Sequence, residues 1–486
     1  MSVAEIVRRW GLAAVLTLTA LVSWQAAERR DTDIAGTDPI LYERSLQTPM
    51  WSARRIPRTL QAPVADDLVR PDLEALIAGS PPSTCLLVTS EGRTIQPTTN
   101  TTLPLVPASN QKLATTFAAL DPTVLGPDFR FRTRTAVDSL PVDGVVAGNL
   151  YLIGDGDPFL STDDWWRQYE ETGGRFHTRL EDLVAAITAA GVTQITGSVI
   201  GDETAFDTVR QGPWAERLIN SLQSGPLSAL TVNENFVSWP SSPTSGGPSR
   251  SVTTDPARQA AAVLDSLLRQ AGVTIEGEAT TGVAPAEATE LAAVVSPNLV
   301  EVVTHINSYS SNLGAELLMK KMGQIHRGVG STTAGADVVL ATLQAAGVPT
   351  EGLTIDDGSG LAESNRLTCQ ALSAILVSAG PESELASTLS IGGVRGSLAE
   401  RLDESLADGT VAAKTGTLND VTALSGFVQS ADDPDVELTF AYVTNAPDVS
   451  RDPVVTSLQD VFAAELAAFP GHPAVELLSP LPSVPG

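Results

Sequence analysis

The spacing of apolar and polar residues changes several times along this chain. Residues 84–96, TCLLVTSEGRTIQ, predict two strands around a Ser-Glu-Gly turn. Leu113, Phe117 and Leu120, with alanines between them, follow the helical period and place Ser109 near a helix N-terminus. Short β-like runs follow, such as Gly148–Ile153 and Gly197–Gly201, separated by glycine and aspartate turns, with an amphipathic helix near Leu180–Ala190. Helical periodicity returns after Asn298, and Asn312 opens the apolar helix NLGAELLMKKMG. TVAAKTG, a Leu-Asn-Asp turn and VTALSGFVQ predict a hairpin.

These changes of texture suggest an organisation. Residues 1–27 carry Arg8 and Arg9 before an uncharged stretch, Gly11–Trp24, the layout of an export signal. WQAAE lacks a clean small-x-small site, so a cleaved signal and a retained N-terminal membrane anchor both stay open. Residues 28–62 read as a linker, and 63–130 with 290–470 as one discontinuous domain. Residues 131–289 read as an insert, with an exposed loop at Ser238–Ser251, and 471–486 as a disordered tail.

Composition narrows the functional classes. The 486 residues carry a net charge of −27, which argues against nucleic acid as a partner, since phosphate binding calls for a basic surface. His177, His305, His326 and His472 are scattered without metal-type spacing, and no cofactor is expected. GDGDP, Gly154–Pro158, reads as a turn rather than a metal loop. Cys85 and Cys369 leave two alternatives, one bridge or two buried thiols.

Lysine is the informative residue. Only Lys112, Lys320, Lys321 and Lys414 occur among 30 basic residues. Arginine serves as well for a surface charge, but only lysine readily gives up its proton when buried. Lys320 and Lys321 read as a solvated helix face. Lys112 stands three residues after Ser109, close enough on a helix to reach its hydroxyl. A serine hydroxyl is a poor nucleophile until a neighbour takes its proton, and a neutral lysine can. The helix N-terminus, a second cation at Lys414 and burial all favour the neutral amine.

Two further runs complete a pattern. Ser310-Ser311-Asn312 opens a helix, and Lys414-Thr415-Gly416-Thr417 ends a strand. Each is weak alone. The order S-x-x-K, S-x-N, K-T-G in these settings is specific. Ser310 could relay a proton and Asn312 could hold Lys112 and a substrate carbonyl. Gly416 admits a close backbone at a strand edge, and Thr415, Thr417 and Lys414 would meet a carboxylate. The N–H groups of Ser109 and Thr417 could form an oxyanion hole. Tyr309 reads as core packing.

With these motifs the chain resembles the serine D-alanyl-D-alanine carboxypeptidase/endopeptidase family, the low-molecular-mass class C penicillin-binding proteins with a large insert. PASNQKL, LTVNENF, DGSGL, GVRGSL and AAKTGTL with LSGFV carry the resemblance. It implies an α+β fold: an antiparallel sheet with helices, carrying a β-rich inserted region. It implies hydrolysis of D-Ala-D-Ala ends or cross-links of peptidoglycan stem peptides through acyl-Ser109, with β-lactams as inhibitors and an extracytoplasmic location. It also implies that Asp202 and Asn419 touch the substrate's diamino acid. Ser311 stands where aspartate is common, and Ala362-Glu363 follow DGSGL where Ser-Arg is common, with Arg366 a little later. A β-lactamase shares the motifs, but the long insert argues against it. A non-catalytic wall-binding protein on the same fold is opposed by the presence of both Ser109 and Lys112.

Overall fold

The computed structural model describes residues 58–167, 176–239, 250–403, 405–470 and 473. The expected signal, residues 240–249 of the expected exposed loop and nearly all of the tail lie outside the described residues. The first element, α1 (Arg58–Gly79), begins inside the segment expected as a linker, and Gln61 is already buried.

The predicted first hairpin is β1 (Thr84–Ser90) and β2 (Arg93–Thr99), joined at Glu91 and Gly92 in left-handed backbone. A 3-10 turn over Ala108–Asn110 leads into α2 (Gln111–Leu120). Next come β3 (Arg132–Val137), β4 (Leu150–Ile153), α3 (Leu180–Ala189), β5 (Val199–Asp202), α4 (Pro256–Gln270), β6 (Thr280–Thr281) and β7 (Thr289–Val295). Their strands form one mixed sheet in the order β6-β5-β4-β3-β7. Leu150, Leu152 and Val199 pack there with Leu183 and Ile187 of α3 and Leu264 and Leu268 of α4. The α4 helix adds to the β-rich texture expected here. Its signals are present in the sequence: the Asp255 carboxylate caps Arg258 N–H at 3.1 Å, Pro256 opens the first turn, and Ala260, Leu264 and Leu268 share a face.

Beyond this sheet lie α5 (Leu299–Ser308), α6 (Asn312–Arg327), α7 (Thr332–Ala345) and α8 (Cys369–Ala379). A capping box starts α5: Asn298 and Glu301 bond each other's backbone N–H. The chain closes with β8 (Ser390–Ile391), β9 (Val411–Leu418), β10 (Val421–Gln429), β11 (Glu437–Asn445) and α9 (Pro453–Ala467).

The second sheet runs β8-β9-β10-β11-β1-β2, antiparallel throughout. Its central strands, β10 and β11, are covered on both faces and buried along nearly their whole length. Along β1, Cys85 and Leu87 face α2, α5, α6 and α8, whereas Leu86 and Val88 face α1 and α9. The cysteines settle into the first alternative: Cys85 and Cys369 form a disulfide between β1 and the start of α8. Together these elements give an α+β architecture.

Candidate active site

The nucleophile turn is set by backbone geometry. Ala108 lies at φ +47°, in left-handed backbone, immediately before Ser109. The Asn110 amide donates to Ser425 Oγ at 2.8 Å, and Ser425 is the register partner of Lys414 across β9 and β10. That contact ties the first lysine motif to the third. Gly416 keeps the crossing close: a Cβ there would lie 3.0 Å from the Pro107 carbonyl and 3.2 Å from Ser109 N.

Lys112 is completely buried. Its Nζ donates to Ser109 Oγ at 3.0 Å, Asn312 Oδ1 at 2.8 Å and the Ser359 carbonyl at 2.6 Å. All three acceptors are neutral. Burial brings the amine down to about 7, against the opposing fields of Asp357 and Glu316. Burial is thus the dominant cause among those the sequence suggests.

Lys414 is equally buried and donates to Ser310 Oγ and the Thr415 carbonyl, both at 3.0 Å. Burial, and next the nearby Lys112, hold its pKa well below the usual lysine range. Ser310 sits between α5 and α6 at φ +59°. Ser311, its neighbour, caps α6 by accepting Gly314 N–H at 3.1 Å. The capping duty falls to Ser311, which leaves the Ser310 hydroxyl to Lys414.

A cleft of about 490 Å³ opens over these groups. Ser109, Ser310, Asn312, Thr415, Thr417 and Asn419 all line it. The short β8 pairs only with Ala412 and Ala413, so from Lys414 onward the outer edge of β9 has no strand partner among the described residues. An extended peptide could add there as a further strand.

Asp202 is not brought to this cleft. It lies at the end of β5, lines a separate cavity with Arg132 and Arg134, and accepts from Thr204 and from Ala284 N–H. Its contacts are those of a turn-forming aspartate.

Other residues join the site that the motifs did not reveal. Tyr309, expected in the core, lines the cleft. Arg217, Leu218 and Gln223 approach from the segment expected as an insert, and the Gln223 carbonyl accepts the Asn312 amide at 2.7 Å. No local pattern marks them, because their partners lie about ninety residues or more away. The DGSGL turn also reaches the site, through the Ser359 carbonyl on Lys112. Lys320 and Lys321 correct the expectation of a solvated face. Both are buried and ion-paired, to Asp207 and Asp155. Through Asp155 the GDGDP turn serves as an anchor for α6.

The model of the D-Ala-D-Ala carboxypeptidase 3 (S13) family matches residues 87–255 and 240–466, most of the chain. The chain belongs to the S13 family. A D-alanyl-D-alanine carboxypeptidase of Actinomadura sp. is 31% identical over 445 residues, covering 76% of this chain and 78% of that protein. A Mycobacterium tuberculosis carboxypeptidase is 31% identical over 360 residues, covering 71% and 72%. Penicillin binding protein 4 of Haemophilus influenzae superposes with a TM-score of 0.68 at 22% identity, covering 81% of this chain and 99% of that one. That likeness shows the fold, a penicillin-binding fold with helices and antiparallel sheet. Within this S13 chain, the three motifs that are far apart in sequence meet at a single cleft.

Proposed function

We propose that this S13 chain is a serine D-Ala-D-Ala carboxypeptidase that acts through an acyl-Ser109 intermediate, and that β-lactams acylate the same serine. One observation carries the reading. The Lys112 amine, brought to about 7 by burial, lies 3.0 Å from Ser109 Oγ and is bonded only to neutral acceptors.

In the forward step, Lys112 Nζ takes the Ser109 proton as Oγ bonds to the carbonyl carbon of the penultimate D-alanine. The oxyanion that forms is held by the N–H groups of Ser109 and Thr417, each worth about 3 kcal/mol in such sites. Asn312 holds Lys112 and offers its amide to the substrate. The terminal carboxylate meets Thr415, Thr417 and the Lys414 field. As the C–N bond breaks, Ser310, bonded to Lys414, gives its hydroxyl proton to the departing amine and takes up the proton that Lys112 removed, so Lys112 is neutral again for deacylation. Water then hydrolyses the ester and restores Ser109. Asn419, on the cleft wall, contacts the stem-peptide side chain.

The substrate places the enzyme outside the cytoplasm, on the envelope side where peptidoglycan lies. The Cys85–Cys369 disulfide suits such an oxidising compartment. Export through residues 1–27, with or without their retention as an anchor, would deliver it there.

Intact mass over time with benzylpenicillin, with the adduct mapped by peptide sequencing, tests the reading. A persistent adduct on Ser109 in the wild type, none in Ser109→Ala, and D-alanine release from a D-Ala-D-Ala peptide are expected. A fleeting adduct with drug turnover would indicate a β-lactamase. An adduct on another residue, or none, would overturn the assignment.

A further inference from the structure

Glu316 lies one helical turn beyond Asn312 on α6 and is fully buried. Its Oε1 accepts the N–H groups of Gly358 at 3.1 Å and Ser359 at 2.9 Å. Its Oε2 is buried and has no hydrogen-bond partner among the described residues. Asp357 accepts the next N–H in the loop, Gly360 at 2.8 Å, and also Ala362 N–H at 2.6 Å and the Trp214 indole at 2.9 Å. Two carboxylates therefore hold consecutive N–H groups of the loop. Thr115 Oγ1 holds its far side through the Gly358 carbonyl at 2.8 Å. The Ser359–Gly360 peptide is left with its N–H on Asp357 and its C=O on Lys112.

We propose that Glu316 is a positioning residue for Lys112: it fixes the 357–361 loop so that the Ser359 carbonyl grips the amine. The proposal rests on the reading of Lys112 as the base.

The electrostatics agree with this geometry. The charged groups around the pair are Asp357 from the loop and Lys414 from β9. Burial, with Asp357 next, pushes the Glu316 carboxyl up to about 8. A buried carboxylate with one unpaired oxygen favours its proton. Glu316 therefore holds its proton through the range near 7 in which Lys112 gives up its own, and it acts on the amine chiefly through the loop.

The test is the acylation rate constant of the full chain with benzylpenicillin, followed from about pH 5 to about pH 9 across the range where such groups titrate. In Glu316→Gln the amide oxygen can keep the Gly358 and Ser359 N–H groups, so the profile should stay close to wild type. In Glu316→Asp the loop contact is retracted, so the plateau should fall by about tenfold or more. A folded Glu316→Asp variant, checked by thermal unfolding, with the wild-type plateau would overturn the proposal. If that variant does not fold, a folded Glu316→Gln variant whose plateau falls by about tenfold would overturn it instead. A wild type that is never acylated at any pH would sink the base assignment beneath it, an outcome separate from either.

Discussion

The four lysines form two buried pairs in opposite surroundings. On α6, Lys320 and Lys321 each end on a carboxylate, Asp207 and Asp155. In the cleft, Lys112 and Lys414 end only on hydroxyls, an amide oxygen and backbone carbonyls. Burial disfavours an ammonium in the cleft. A directly bonded carboxylate offsets that effect; a neutral acceptor does so only weakly. The same residue type is thus half of an ion pair in one place and, at Lys112, the proposed proton acceptor in the other. The difference lies in the partner, because burial is nearly equal.

Exchanging guanidinium for amine breaks the comparison most sharply. Lys112→Arg should lower the benzylpenicillin acylation rate by about a thousandfold, within the usual range for a general base, since arginine keeps its proton. Lys320→Arg should keep an ion pair with Asp207 and acylate at close to the wild-type rate. An Lys112→Arg variant that acylates normally would erase the distinction.

The next effect is on stability. Lys320→Met leaves Asp207 without its cation, and breaking a fully buried pair costs about 3–5 kcal/mol. Asp207 is 30% exposed, so water recovers part of that, and a loss on the order of 2 kcal/mol is expected in urea unfolding. No measurable loss would mean that the pair is not what holds α6 to the 207–209 segment.

The smallest effect is a slope. The Lys112 amine titrates near 7 when folded, below its ordinary 10.5. Between those values the unfolded chain binds more protons, so this group makes stability rise with pH across that window. The penalty for burying it is largest below about pH 7 and fades toward 10.5. Lys112→Met should flatten that rise, whereas Lys320→Met should leave it in place. Melting temperatures measured across the window check both.

The sequence carried these features unequally. The β9–β10 hairpin and the start of α6 were legible because their signals are local: alternation, a turn, a cap. The three motifs were legible because their order and settings fit together. The fate of Lys320 and Lys321 was not. Their apolar helix predicts a buried face, but their anions come from 113 and 166 residues away. The Cys85–Cys369 pairing spans 284 residues, and residue types alone could not choose it over two thiols. Tyr309 and Glu316 escaped for the same reason. An aromatic or an acid on a helix gains its meaning from what the tertiary fold brings to it, here a cleft and a loop.

Gln223 and Trp214 carry a lesson about dividing this molecule. Gln223 bonds the amide of Asn312, and Trp214 bonds the carboxylate behind the Ser359 carbonyl. Both come from the stretch between the first and second motifs. A shortened chain could retain every catalytic motif and still lack a wall and a brace of its active site. For this enzyme, economy of length and integrity of chemistry are opposed, and a minimal version would have to replace those two contacts before deleting what supplies them.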